Sequence, residues 1–66
     1  MSMDCIEACM LSKDDIFRLE NDATIYVMLG WNYHLMMPIV APVYNKKEFR
    51  FLYPFRKVYV DKFYNH

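Results

Sequence analysis

The apolar positions of this chain change their period near residue 22. Before it, Ile16, Phe17 and Leu19 fall on one side of a helical wheel, with Arg18 and Glu20 on the other. The segment Leu11-Ser12-Lys13-Asp14-Asp15-Ile16 reads as a helix start. Ser12 caps the first free N–H groups, Asp14 and Asp15 lie where the helix dipole favours negative charge, and Leu11 and Ile16 occupy the positions of a hydrophobic staple. Asn21-Asp22 ends the helix. Residues 3–10 are open between an earlier helical turn, with Met3, Ile6 and Met10 at helical spacing, and an edge strand.

After Asp22 the pattern alternates. Ile25, Val27 and Leu29 share one face of a strand rich in β-branched and aromatic residues. Gly30-Trp31-Asn32 is expected as the turn, with the chain's one glycine, and Tyr33–Met37 as the returning strand. Pro38 and Pro42 confine Ile39–Tyr44 to an edge or crossing segment, because proline donates nothing to a ladder. Asn45-Lys46-Lys47 forms a polar turn. Glu48–Tyr53 and Lys57–Phe63 are expected to pair as a hairpin interrupted by Pro54, with Phe49, Phe51 and Tyr53 on one face. The expected fold class is α+β, as one domain over residues 1–66. A short N-terminal helix precedes four to five strands in a strongly bent antiparallel sheet or small SH3-like barrel. Length excludes parallel α/β folds, since each crossover needs about a dozen residues or more.

The run Leu11-Ser12-Lys13-Asp14-Asp15-Ile16, Leu19 and Ala23-Thr24-Ile25-Tyr26-Val27 is similar to the openings of many small proteins, phage proteins among them. In these a capped helix leads into the first strand of a barrel. The similarity covers about a quarter of the chain and implies a barrel and a viral source. It transfers no functional residue.

Charge changes the picture. From Ala23 to Asn45 there is no Asp, Glu, Lys or Arg, although charged residues are 24% of the chain. Residues 1–44 carry six carboxylates against Lys13 and Arg18, a net of −4. Residues 45–66 carry six cations against Glu48 and Asp61, a net of +4, so the formal net charge of zero conceals a dipole. The uncharged stretch has the roughly 20 residues of a membrane span, but Asn32 and His34 would lie near the bilayer centre and two prolines would break its second half. No secretory signal is read at the N-terminus, and a cytoplasmic location is expected.

A domain of this size hides only about 60% of the surface of its unfolded chain. Twelve aromatic residues are more than such a core can enclose, so some reach the surface and point to an interface. Trp31 and Tyr33 are the first choice for contact residues, joined by Arg50, Arg56, Lys57 and Tyr59. The leading expectation is a non-enzymatic protein-binding module. It would act as an inhibitor or adaptor on a larger partner, with a homodimer also open. The alternative is a nucleic-acid-binding barrel, with Lys46, Lys47, Arg50, Arg56, Lys57 and Lys62 on phosphates and Phe51, Tyr53, Phe55, Tyr59 or Tyr64 stacked on bases. Against it stands a pI near 6.7, whereas nucleic-acid footprints usually exceed about 9.

Catalytic and metal chemistry find little support. Cys5 and Cys9 would share a helical face, and zinc with His34 or His66 would still lack the second close pair typical of structural sites. Ser12 has a capping role, Asp14 and Asp15 do not face each other on a helix, and one glycine cannot build a phosphate loop. No cofactor is expected.

Overall fold

The computed structural model describes residues 3–61, with side chains from 4 to 60. Six strands form one antiparallel sheet: β1 Met3–Glu7, β2 Ile16–Leu19, β3 Ile25–Asn32, β4 Met37–Pro42, β5 Arg50–Phe51 and β6 Lys57–Asp61. Their order across the sheet is β1-β6-β2-β3-β4-β5, with β1 and β5 at the two edges. One turn of 3₁₀ helix, Ala8–Met10, follows β1.

The expected helix-first α+β fold is therefore overturned, and the segment assigned to the helix is β2. Half of its start signal does form. The Ser12 N–H donates to Asp15 Oδ2 at 2.8 Å, and the Asp15 N–H to the Ser12 carbonyl at 3.0 Å. This is the backward arm of a capping box. Asp14 then takes φ 73°, a left-handed conformation that Asp tolerates better than most residues and that an α-helix does not contain. The backbone groups that a helix would use go to β3 instead. Asp14 N–H donates to the Met28 carbonyl (2.8 Å), and Met28 N–H to the Asp15 carbonyl (2.9 Å). From there Phe17 and Leu19 point inward at a period of two, with Arg18 exposed between them.

Other boundaries move for local reasons. β3 runs through Gly30-Trp31-Asn32, and the turn is Tyr33–Met36. Asn32 makes that turn: its Oδ1 accepts from the N–H groups of His34 (2.9 Å) and Leu35 (3.0 Å), while Met36 takes φ 58°. β4 carries both prolines yet lies between β3 and β5. The Pro38 carbonyl accepts from Leu52 N–H, so the donor that Pro38 lacks would have faced the β5 side. Pro42 shares that parity. The ladder to β3 is thus intact, and β5 is limited to two paired residues, Ile39 with Phe51 and Val40 with Arg50. β5 and β6 do not form the expected hairpin. β6 inserts between β1 and β2, pairing Val58 with Ile6 and with Leu19. Residues 3–7 take the edge-strand alternative, and 8–10 the helical one.

The core comprises Ala8, Leu11, Phe17, Leu19, Tyr26, Met28, Val40, Leu52 and Val58, with Ile6, Trp31 and Val60 packed against it. Ala8 follows one edge strand and Leu52 the other, so the sheet curls to bring both into one cluster. Backbone bonds from Ala8 N–H to the Arg56 carbonyl and from Cys9 N–H to the Pro54 carbonyl, both 2.8 Å, hold that curl. A register shift between Met28 and Gly30 inserts one extra residue in β3. It reverses the parity, so Trp31 follows Met28 onto the core face.

Gly30 does not have a positive φ, and a Cβ built on it meets nothing within 4 Å. Gly30→Ala is expected to raise stability by about 0.4–1 kcal/mol through the unfolded chain, read as a higher denaturant midpoint. Phe17→Ala, at 1% exposure in the packed core, is expected to cost about 3–5 kcal/mol in the same assay.

Candidate protein-contact face

One polar chain ties three elements together on the core side. Phe17 and Tyr26 are opposite one another on β2 and β3, and their rings stack with centroids 5.7 Å apart. The Tyr26 hydroxyl donates to Asp22 Oδ2 at 2.8 Å and accepts from Arg50 Nη2 at 3.1 Å. The Arg50 guanidinium lies 5.2 Å from the Tyr26 ring centroid. Asp22 also accepts from Thr24 N–H at 2.9 Å, closing the β2–β3 turn. Its carboxyl is held below the ordinary 3.8, chiefly by the Thr24 N–H and next by the Tyr26 hydroxyl. Burial, then the hydrogen bond to Asp22, pushes the Tyr26 phenol up. Arg50, read from sequence as a partner anchor, thus bridges β5 to β3.

The opposite, outer face of the sheet divides in two. Over β1, β6 and β2 it is polar. Glu7 pairs with Lys57, and Cys5, Tyr59 and Arg18 form one row across the three strands. Glu20 lines a surface cleft with Arg18 and Tyr59, and its carboxylate, then the Cys5 thiol, pushes the Tyr59 phenol up. Over β3, β4 and β5 the face is apolar. Ile25 lies beside Val43, bonded through Val43 N–H to the Ile25 carbonyl at 2.9 Å. Val27 pairs with Ala41, both buried, and Ile39 with Phe51, the one half-buried and the other exposed. Ile25 and Val43 are 40% and 44% exposed. Most of the charge-free stretch lies here: β3 and β4 carry buried residues on both parities, Tyr26, Met28 and Val40 on one and Val27 and Ala41 on the other, which leaves no solvated place for a charge between them. Antiparallel strands with a solvated face normally alternate apolar and polar.

Along the β5 edge stand Phe49, Phe51, Tyr53 and Phe55, all exposed. They meet in edge-to-face pairs, Phe49 with Phe51 at 6.4 Å and Tyr53 with Phe55 at 5.8 Å. Each ring thus rests on another ring while keeping a face to solvent.

The residues singled out from sequence are dispersed. Trp31 is half-buried against the core, and Tyr33 is exposed at the β3–β4 turn. Arg56 and Lys57 are exposed at the start of β6, and Tyr59 lies on the polar outer half. Lys46 and Lys47 are exposed in the β4–β5 turn. Lys62, Tyr64 and His66 lie outside the described residues. Sequence reading missed Ile25, Ile39 and Val43 as surface positions. The available signal was the complete lack of charge on both parities of two consecutive strands. Cys5 lies on β1 and Cys9 in the 3₁₀ turn, both as free thiols. Among the described residues no group of three or more His, Cys, Asp or Glu is placed to hold a metal ion, and no helix is long and apolar enough to cross a membrane.

Because folding favours ionised Asp22, the stabilisation from its bonds is complete above the unfolded value near 4 and is lost as pH falls through the folded value. Asp22→Asn is expected to flatten the fall of thermal midpoint between about pH 5 and the acid transition. Tyr26→Phe is expected to lower the midpoint at neutral pH and to remove part of the same acid dependence. Melting curves at a series of pH values check both.

No protein-family model, no characterised protein and no solved structure matches this chain.

Proposed function

We propose that this protein is a non-enzymatic protein-binding module that occupies a surface of a larger protein, as inhibitors and adaptors do. The supporting observation is the exposed aromatic row Phe49, Phe51, Tyr53 and Phe55, which spans the edge strand β5 and its two flanks. Exposed aromatics carry much of the energy of protein interfaces. An edge strand adds unpaired backbone groups for a partner strand to meet. Arg56, exposed beside Phe55, supplies a planar guanidinium for a partner carboxylate.

A second reading has one observation in its favour. Lys46, Lys47, Arg50 and Arg56 interleave with the same four rings along the chain, the pattern of single-strand binders. The zero net charge weighs against it.

Capture with a tagged chain from nuclease-treated lysate, washed at rising salt, tests both. The binding-module reading expects one stoichiometric protein that resists high salt. Tyr53→Ala and Phe55→Ala are each expected to weaken its binding about tenfold or more in a direct titration. Retention only without nuclease, lost steeply with salt through counterion release, would replace this reading with the nucleic-acid one.

A further inference from the structure

We infer that the β5 edge takes an extended acidic segment of the partner protein as an added strand. This rests on reading the aromatic row as a protein-contact surface, and it names what sits there. The backbone gives the first reason. Leu52 N–H donates to the Pro38 carbonyl at 3.0 Å, and Phe51 lies opposite Ile39. Facing residues of an antiparallel ladder alternate between pairs that exchange such bonds and pairs that do not. Leu52 and Arg50 therefore turn their backbone groups to β4, and Phe51 turns its N–H and C=O away from it. No strand among the described residues lies on that side. Phe49 and Tyr53 share the parity of Phe51. The Tyr53 carbonyl accepts from Arg56 N–H at 3.0 Å, so that turn closes the site at one end.

Side chains supply the second reason. Phe49, Phe51 and Tyr53 are 58%, 41% and 61% exposed. A strand bonded to Phe51 lays every second side chain along these rings, which suits apolar residues there. Charge sets the rest of the occupant. Residues 46–56 carry Lys46, Lys47, Arg50 and Arg56 against Glu48, a net of +3, and all five are exposed. Lys46 and Lys47 precede β5 and Arg56 follows it, so both ends of an added strand meet positive charge. β1, the other edge, carries Asp4 and Glu7 and no ring. The occupant is thus a peptide strand with alternate apolar residues and carboxylates towards its ends. Phe51 offers an acceptor beside its donor, and a phosphate backbone answers only the donor.

Panning the full chain against a displayed library of random peptides of about ten residues tests this, with an oligothymidylate as second probe. Binders with carboxylates flanking alternate apolar residues are expected. The best of them is then titrated in two N-methylated forms, each methylated on alternate residues. Only residues facing β5 spend their N–H groups on it. One form is therefore expected to lose affinity about tenfold or more, and the other to keep it. Phe51→Pro removes the outward N–H and spares the ladder to β4. It is expected to weaken binding about five-fold more than Phe51→Ala, with unchanged circular dichroism. Lys47→Glu and Arg56→Glu are each expected to weaken it about two- to five-fold at low salt. Equal effects of the two methylation patterns, or of Phe51→Pro and Phe51→Ala in folded chains, would overturn strand addition. Binders without an excess of carboxylates would overturn the acidic occupant. A chain that selects no peptide yet captures a protein through Phe55 would sink the added strand and leave the binding-module reading standing. A chain that selects no peptide and captures no protein would sink both, and retention of the oligothymidylate would then put the nucleic-acid reading in their place.

Discussion

The stack of Tyr26 on Phe17 is the contact on which most of the molecule depends. It joins β2 to β3 at the centre of the core, and its hydroxyl end links that centre to the edge strand through Arg50. A buried phenol needs a hydrogen-bond partner, and Asp22 supplies one from the preceding turn. One side chain thus combines ring packing, turn closure and attachment of β5. The curl of the sheet follows, since Leu52 reaches the core only when β5 is drawn towards β3.

Much of the β-structure was legible, and the failures have identifiable causes. The strand at Ile25–Leu29, the polar turn at Asn45-Lys46-Lys47 and the shared face of Phe49 and Phe51 were all visible in the alternation. The helix was not there, although its N-terminal signal was real. Ser12 and Asp15 make the local bond that a helix start would make, and Asp14 then breaks away, because Met28 offers its backbone a cross-strand partner. Local capping chemistry cannot report such a distant partner. The β3–β4 turn was misplaced because Gly30 and Trp31 looked like turn residues. In fact Gly30 stays in the ladder opposite Ile39, and a bulge at Leu29 delivers the tryptophan to the core. β6 pairs with β1 and β2, which lie far from it in sequence, and no short-range pattern records such a pairing.

The contact face was half legible. The absence of charge from Ala23 to Asn45 was plain, and so was the surplus of aromatics. Choosing among those aromatics required knowing which faces were covered. Trp31 was chosen as a contact residue and is packed against the core, whereas Ile25 and Val43, which were not singled out, are exposed. The charge dipole along the chain becomes a spatial one across the outer face, with Glu20 on one flank and Lys46 and Lys47 on the other.

The insertion of β6 between β1 and β2 also governs the order of assembly. β1 has no other strand to bond, and β2 has only β3 until residues 57–61 arrive. β1, Met3–Glu7, must wait without a strand partner for Lys57–Asp61, which are made about fifty residues later. The sheet therefore completes late and non-locally, with the slow kinetics that long-range pairing imposes. A nascent chain stopped before residue 57 would hold only the β2–β5 meander, its lost neighbour leaving a second raw edge beside the apolar face.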